Sequence, residues 1–344
     1  MSVSRPRSEQ DLSRFKKDLL DLIGGEFPAD EEKRVYVEML FNIALLKEEA
    51  LDLAELRLLN TAFKELRYAL KVFKSYRSVP KAAVFGSARI PRSNATFKMA
   101  KEFGRKLAQK GWMIITGGAS GIMEAAMIGA GAKNSFGLNI LLPFEQQANW
   151  VIRGNQKLIH FKYFFTRKLM FLKESEATVL FPGGFGTFDE GFESFTLVQT
   201  GKAKPRPIVV IDPPKSRFWR SALGFIKEDM GKGELISPED LSLIRHFQDN
   251  DQAIEEMTRF YSNYESSRFF RDKYLIRLHN PLSNNELKKI EKNFKDILSA
   301  GGFELLPSAE EDDNKDPKLC RLVFSFDRSN YARLRQLIDY LNTL

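Results

Sequence analysis

The chain has 344 residues, 43% of them hydrophobic, and 53 Lys and Arg against 45 Asp and Glu give a net charge of +8. That length predicts about two domains, and the apolar fraction excludes disorder of the whole. The N-terminus MSVSRPRSEQ lacks the apolar run of a signal peptide, no stretch offers ~18 uninterrupted apolar residues, and Cys320 stands alone. The expectation is a cytoplasmic protein with no membrane span and no disulfide framework.

Residues 1–79 read as a helical extension, in which Val37, Leu40, Phe41, Ala44 and Leu45, then Leu56, Leu59, Phe63, Leu66, Leu70 and Phe73 recur at three- and four-residue steps. Pro80 ends that pattern. Short apolar runs then follow: Ala82–Phe85, Trp112–Thr116, Leu138–Leu142, Thr178–Phe181 and Ile208–Ile211 read as buried strands. Amphipathic stretches at about 94–109, 121–132, 163–175 and 187–200 lie between or beside them. Such alternation predicts an α/β domain, a Rossmann-like doubly wound parallel sheet over residues 80–264, with further helices around 216–230 and 251–263. Beyond it, residues 265–344 predict a small α+β module of ferredoxin-like type. Its strands are placed at Tyr274–Leu278, Gly302–Leu306 and Leu319–Phe326, its helices at Asn284–Leu298 and Tyr331–Leu341, and an acidic loop spans Glu310–Asp316. A regulatory or an oligomerisation role suits this module equally.

The charge excess is local. Residues 81–212 carry 18 basic and 9 acidic side chains, and this +9 accounts for the whole surplus. It points to an anionic ligand in that domain, or else to a solvated basic face. Base-reading and stacking motifs are absent, so nucleic acid is not the expected partner. The three histidines, His160, His246 and His279, show no ligand spacing, and no metal is expected.

Three glycine-bearing loops follow three of the strands, where parallel sheets bind ligands. The strongest runs Phe181-Pro182-Gly183-Gly184-Phe185-Gly186-Thr187-Phe188-Asp189-Glu190 and opens a helix. Gly183, Gly184 and Gly186 let backbone N–H groups approach an anion, and the helix adds its positive end. Thr187 suits either a helix cap or a donor to phosphate. The loop lacks the lysine of a Walker A motif and the G-x-G-x-x-G spacing of dinucleotide folds. The second loop, Thr116-Gly117-Gly118-Ala119-Ser120-Gly121-Ile122-Met123-Glu124-Ala125, and the third, Phe85-Gly86-Ser87-Ala88-Arg89, complete the set.

P-G-G-x-G-T-x-x-E, the upstream Arg167-Lys168 pair and G-G-x-x-G-x-M-E-A together resemble the LOG (Lonely Guy) family of phosphoribohydrolases, long labelled lysine decarboxylases, in its longer bacterial form. The resemblance covers roughly residues 80–212, more weakly to 264. It implies hydrolysis of the N-glycosidic bond of nucleoside 5′-monophosphates, AMP or related nucleotides including cytokinin nucleotides, to free base and ribose 5-phosphate. It also implies Arg167 and Glu190 as the catalytic pair, a phosphate loop of Gly183, Gly184, Gly186 and Thr187, and a nucleotide site lined by Ser87, Gly118 and Glu124, in a homo-oligomer without cofactor. Phe164-Phe165-Thr166 departs from the Met-His of plant-type members.

The chemistry agrees with this assignment. Breaking a ribosyl C–N bond develops oxocarbenium character, which a carboxylate near C1′ stabilises, and a helical turn separates Glu190 from the phosphate loop. Arg167 would either keep Glu190 ionised or assist the departing base. Decarboxylation would require pyridoxal phosphate on a Schiff-base lysine, and no paired elements for it are found. Two alternatives on the same fold are a carrier of a phosphorylated ligand, like molybdenum-cofactor carriers, and a nucleotide sensor acting through the C-terminal module.

Overall fold

The computed structural model describes residues 30–142, 147–306, 316 and 318–344. Most of the acidic loop Glu310–Asp316 lies outside the described residues, as does the first part of the N-terminal extension. The chain divides into two compact units, 1–64 and 65–344, each taken by itself.

In the first unit, α1 (Asp30–Leu45) precedes the start of α2 (Leu53–Phe73). A reciprocal capping box fixes where α2 begins: Glu55 N–H donates to Asp52 Oδ1 and Asp52 N–H to Glu55 Oε2, both at 2.8 Å. Among the described residues of this unit only Val37 is buried, while Leu56, Leu59 and Phe63 are exposed.

The second unit opens with the last turns of α2, whose Ala69 and Phe73 are buried, Phe73 stacking on Phe136 at 4.3 Å. A seven-stranded parallel sheet follows, made of β1 (Lys81–Phe85), β2 (Met113–Thr116), β3 (Ser135–Ile140), β4 (Leu158–Phe161), β5 (Ala177–Leu180), β6 (Ile208–Ile211) and β7 (Ile244–Phe247) in the order β4-β3-β2-β1-β5-β6-β7. The expected doubly wound architecture is therefore present. Alternate residues face opposite layers. Ala82, Val84, Ile114, Val179 and Val209 meet α3 (Ala95–Gln109), α4 (Ile122–Ala130) and α8 (Asn250–Phe260). Ala83, Phe85, Ile115, Leu138 and Val210 meet α2, α5 (Phe164–Lys173), α6 (Phe185–Gln199) and α7 (Phe218–Phe225).

The five strands read from apolar runs are all present, within a residue or two at each end save the start of β3. The two outermost strands carry no such signal. In β4, Leu-Ile-His-Phe leaves His160 exposed, and β7, Ile-Arg-His-Phe, is nowhere fully buried, so neither presents a continuous apolar run. Strand order reverses between β1 and β5. A crevice opens at that switch point beyond the carboxyl ends of the strands.

The C-terminal module is a four-stranded antiparallel sheet of β8 (Tyr264–Phe270), β9 (Lys273–Leu278), β10 (Leu298–Leu305) and β11 (Cys320–Phe326), ordered β10-β11-β9-β8, with α9 (Asn284–Phe294) and α10 (Tyr331–Leu341) packed on one face. Strand neighbours are those of a ferredoxin-like sheet whose last strand has moved to the front, giving ββαββα. The strand added to the expected set is β8, Tyr-Glu-Ser-Ser-Arg-Phe-Phe, whose polar centre hides its hairpin pairing with β9. The fully buried Arg335 of α10 ties the two sheets together, donating to Glu256 Oε1 at 2.8 Å and to Arg206 O at 2.9 Å.

Candidate nucleotide site

The three glycine loops interlock at the β1/β5 switch. Ser87 N–H donates to Pro182 O at 3.1 Å, and Ile122 N–H, at the start of α4, donates to Ser87 O at 3.0 Å. These contacts leave no room for side chains at two glycines. A Cβ on Gly183 would lie 2.0 Å from Thr187 Oγ1 and 3.0 Å from Ser87 N, and one on Gly121 would lie 2.2 Å from Ser87 O. Gly184 and Gly186 differ: a Cβ on either meets nothing within 4 Å. The backbone there faces open space.

The loops wall a cavity of about 730 Å³, within the range of small-molecule sites. Of the nine residues proposed from sequence, the structure brings seven onto its wall: Ser87, Arg167, Gly183, Gly184, Gly186, Thr187 and Glu190. Gly118 and Glu124 lie off it. Gly118 donates its N–H to Thr116 Oγ1 and takes a positive φ of 71°, so it shapes the loop. Glu124 is buried and occupied by others, accepting from Arg92 Nη2 at 2.5 Å and Trp150 Nε1 at 2.9 Å. Thr187 is not the cap of its helix. Gly184 holds that position and has no side chain to offer; the Thr187 N–H donates to Gly184 O at 3.0 Å, which leaves the Phe185 and Gly186 N–H groups and the Thr187 hydroxyl at the cavity.

Arg167 stands on α5, whose start is set by Glu65 of α2. The Glu65 carboxylate accepts from Lys162 N–H and Thr166 Oγ1, both at 2.6 Å, a stabilising place for an acid. The Arg167 guanidinium is held on several sides: Nε–H donates to Leu138 O at 2.9 Å, the Phe171 and Phe164 rings lie 5.3 and 6.0 Å from it, and a Cβ on Gly117 would fall 2.6 Å from Nη2. Burial pulls its pKa down, and the nearby Glu190 charge opposes that. Lys168, the other half of the pair, bridges α5 to α6 through Asp189 at 2.8 Å and Glu193 at 2.9 Å.

Glu190 is buried in the second turn of α6. Burial raises its pKa to about 7, against the lowering pull of Arg167 and Lys168 and with help from the like charges of Glu193 and Asp189. Arg167 thus does not keep this carboxyl in the ordinary carboxylate range. A carboxyl poised near neutrality beside a fixed cation suits proton transfer and the stabilisation of developing positive charge.

Three wall residues escape a reading by motif. Arg89 is exposed on the third loop and, among the described residues, is in no ion pair. Asn139 interrupts the apolar run of β3, and Phe164 adds an aromatic face. An isolated polar residue inside a buried strand was the available signal for Asn139. Glu65 gave none, since its role depends on a contact with a helix far along the chain.

Residues 120–257 match a family model described as "Possible lysine decarboxylase". A cytokinin riboside 5′-monophosphate phosphoribohydrolase of Mycobacterium tuberculosis (strain ATCC 25618 / H37Rv) is 28% identical over 130 residues, covering 37% of this chain and 67% of that protein. Among solved structures, the molybdenum cofactor binding protein of Rippkaea orientalis is 18% identical, with 52% of this chain and 96% of that one covered and a TM-score of 0.38. The Moco carrier protein of Chlamydomonas reinhardtii is 22% identical, with 53% and 96% covered and a TM-score of 0.37. Among the described residues no helix is long and apolar enough to cross a membrane.

Proposed function

We propose, from the match of residues 120–257 to that family model and the likeness of the motifs to the LOG family, that this protein is a phosphoribohydrolase of nucleoside 5′-monophosphates, releasing free base and ribose 5-phosphate. The observation that carries this reading is the convergence, on one cavity wall, of a phosphate-type cradle at the start of α6 with a buried acid one turn further along the same helix. The family description suggests decarboxylation instead. That chemistry needs a Schiff-base lysine, and among the described residues the cavity wall carries arginines, Arg89 and Arg167, but no lysine.

In this reading the phosphate sits on the N–H groups of Gly183–Gly186, with the Thr187 hydroxyl and Arg89 completing its partners. The ribose then lies against Glu190. As the C1′–N bond breaks, the ionised Glu190 stabilises the oxocarbenium-like sugar and accepts a proton from the water that bonds to C1′, while the base leaves with the C–N electron pair and takes up one proton, supplied by Glu190 or solvent, so that Glu190 returns to its ionised form. Arg167 is a fixed donor toward the departing base. Its contacts to Leu138, Phe171 and Gly117 hold it in place without Glu190, which leaves its free Nη groups for substrate.

The test is incubation of the purified protein with AMP, GMP, CMP, UMP and isopentenyladenosine monophosphate, with chromatography for released base. Base release is expected from at least one of them, and Glu190→Gln is expected to abolish it while nucleotide binding persists. Tight retention of nucleotide with no base from any of the five would replace the hydrolase with a carrier.

A further inference from the structure

Strand β3 reads Ser-Phe-Gly-Leu-Asn-Ile, and all six residues are buried. Phe136, Leu138 and Ile140 enter the core beside α5 and α6. By the alternation of a strand, Asn139 turns to the other face. There it is 4% exposed, lines the cavity, and makes no side-chain hydrogen bond to any described residue. Asn149 shows how this domain treats a buried amide that serves the fold: its Nδ2 donates to Gly118 O and Ala119 O at 3.0 Å, and its Oδ1 accepts from Val151 N–H at 3.1 Å. Neither amide atom of Asn139 is among the described side-chain atoms enclosed without a partner, so the carboxamide opens onto the cavity and is met there by water or by a ligand, which a leucine at 139 could not bind. The group that meets Asn139 therefore enters through the cavity.

We propose that Asn139 is the base-recognition residue of this site, its carboxamide pairing with the adjacent donor and acceptor on the edge of a nucleobase. The assignment rests on the nucleotide reading above. Position decides between base, sugar and phosphate. The phosphate cradle lies at β1 and β5, and β3 is two strands from β1, roughly 10 Å across the sheet, a span comparable with the phosphate-to-base reach of a mononucleotide. Asn139 is flanked on the wall by Met123, Ile140, Leu142 and Phe164. Such apolar surfaces suit the faces of a flat heterocycle and offer nothing to ribose hydroxyls. One side-chain amide then supplies the directional pair that an apolar slot lacks.

Binding of AMP, of ribose 5-phosphate and of the monophosphate of unsubstituted purine riboside to the full chain, measured by calorimetry without turnover, tests this. Asn139→Leu is expected to weaken AMP on the order of tenfold or more, the range of a lost bidentate base contact. Ribose 5-phosphate should bind as before, and the purine riboside monophosphate, which lacks the exocyclic amine, should lose less than AMP. Asn139→Ser, a smaller change, should show the same ranking if the leucine variant does not fold. Equal losses for AMP and ribose 5-phosphate, or unchanged AMP affinity, would overturn the proposal. Failure of wild-type protein to release base, with this ranking intact, would remove the hydrolysis and leave Asn139 as the base reader.

Discussion

Glu190 is placed where folding and chemistry pull in opposite directions. Its carboxyl is protonated below about pH 7 because burial disfavours the charge. If the ionised form does the chemistry, the rate of base release should rise with pH and level off above about 7, and a pH–rate profile measures that midpoint. Stability should run the other way. Its folded-state pKa lies above the unfolded value near 4.5, so the folded protein holds the extra proton between roughly pH 4.5 and 7, and stability declines as pH rises through that window. Glu190→Gln removes the burden. The variant should match wild type near pH 4.5 and exceed it at pH 8 by on the order of 1–3 kcal/mol in denaturant melts. Equal stability of the two proteins at pH 8 would show that the carboxylate is relieved by something else.

The glycine loops at the head of α6 separate two jobs that one motif combines. Gly183 is pressed by Thr187 and by the Ser87 loop, so Gly183→Ala should both loosen the fold, by about 1–3 kcal/mol for an overpacked site, and abolish nucleotide binding. Gly184 faces open space in an extended conformation (φ −91°, ψ −159°), so Gly184→Ala should melt like wild type and still lose nucleotide affinity. Comparing melting curves with binding isotherms distinguishes them. Much of this element was legible in the sequence, because three glycines at the head of a helix name a backbone geometry and a ligand charge at once. Glu124 shows where such legibility stops: an acid in the first turn of a helix beside the site looks available, and only the positions of Arg92 and Trp150 reveal that it is already taken. The outer strands β4 and β7 were obscure for a related reason, since half-exposed four-residue strands share their composition with loops.

Across the whole second unit, the buried Arg335 decides how the two sheets unfold. It joins α10 to Glu256 of α8 and to the chain just before β6, and its guanidinium lies 4.4 Å over the Phe260 ring. Arg335→Ala leaves Glu256 buried with a poorer set of partners, Arg259 at 2.9 Å and Arg245 at 3.9 Å. The expected loss is about 3 kcal/mol or more. Wild-type protein should melt in one transition for residues 65–344, while this variant should show the C-terminal sheet separating first, read by calorimetry. A single unshifted transition would mean that the apolar contacts alone hold the module.

The hydrogen bond from Ser87 to Pro182 has a kinetic meaning. It closes the cradle only when β5, which follows β2, β3 and β4 in the chain, pairs with β1 on the opposite side from them. Such non-local closure is slow, since loop entropy is lost before the contact repays it. No fragment ending before β5 has a place for phosphate, so nucleotide binding during refolding should lag behind the gain of helical signal. A bound nucleotide then selects the finished chain, and raising its concentration from 100 to 1,000 times Kd should add about 1.4 kcal/mol to unfolding.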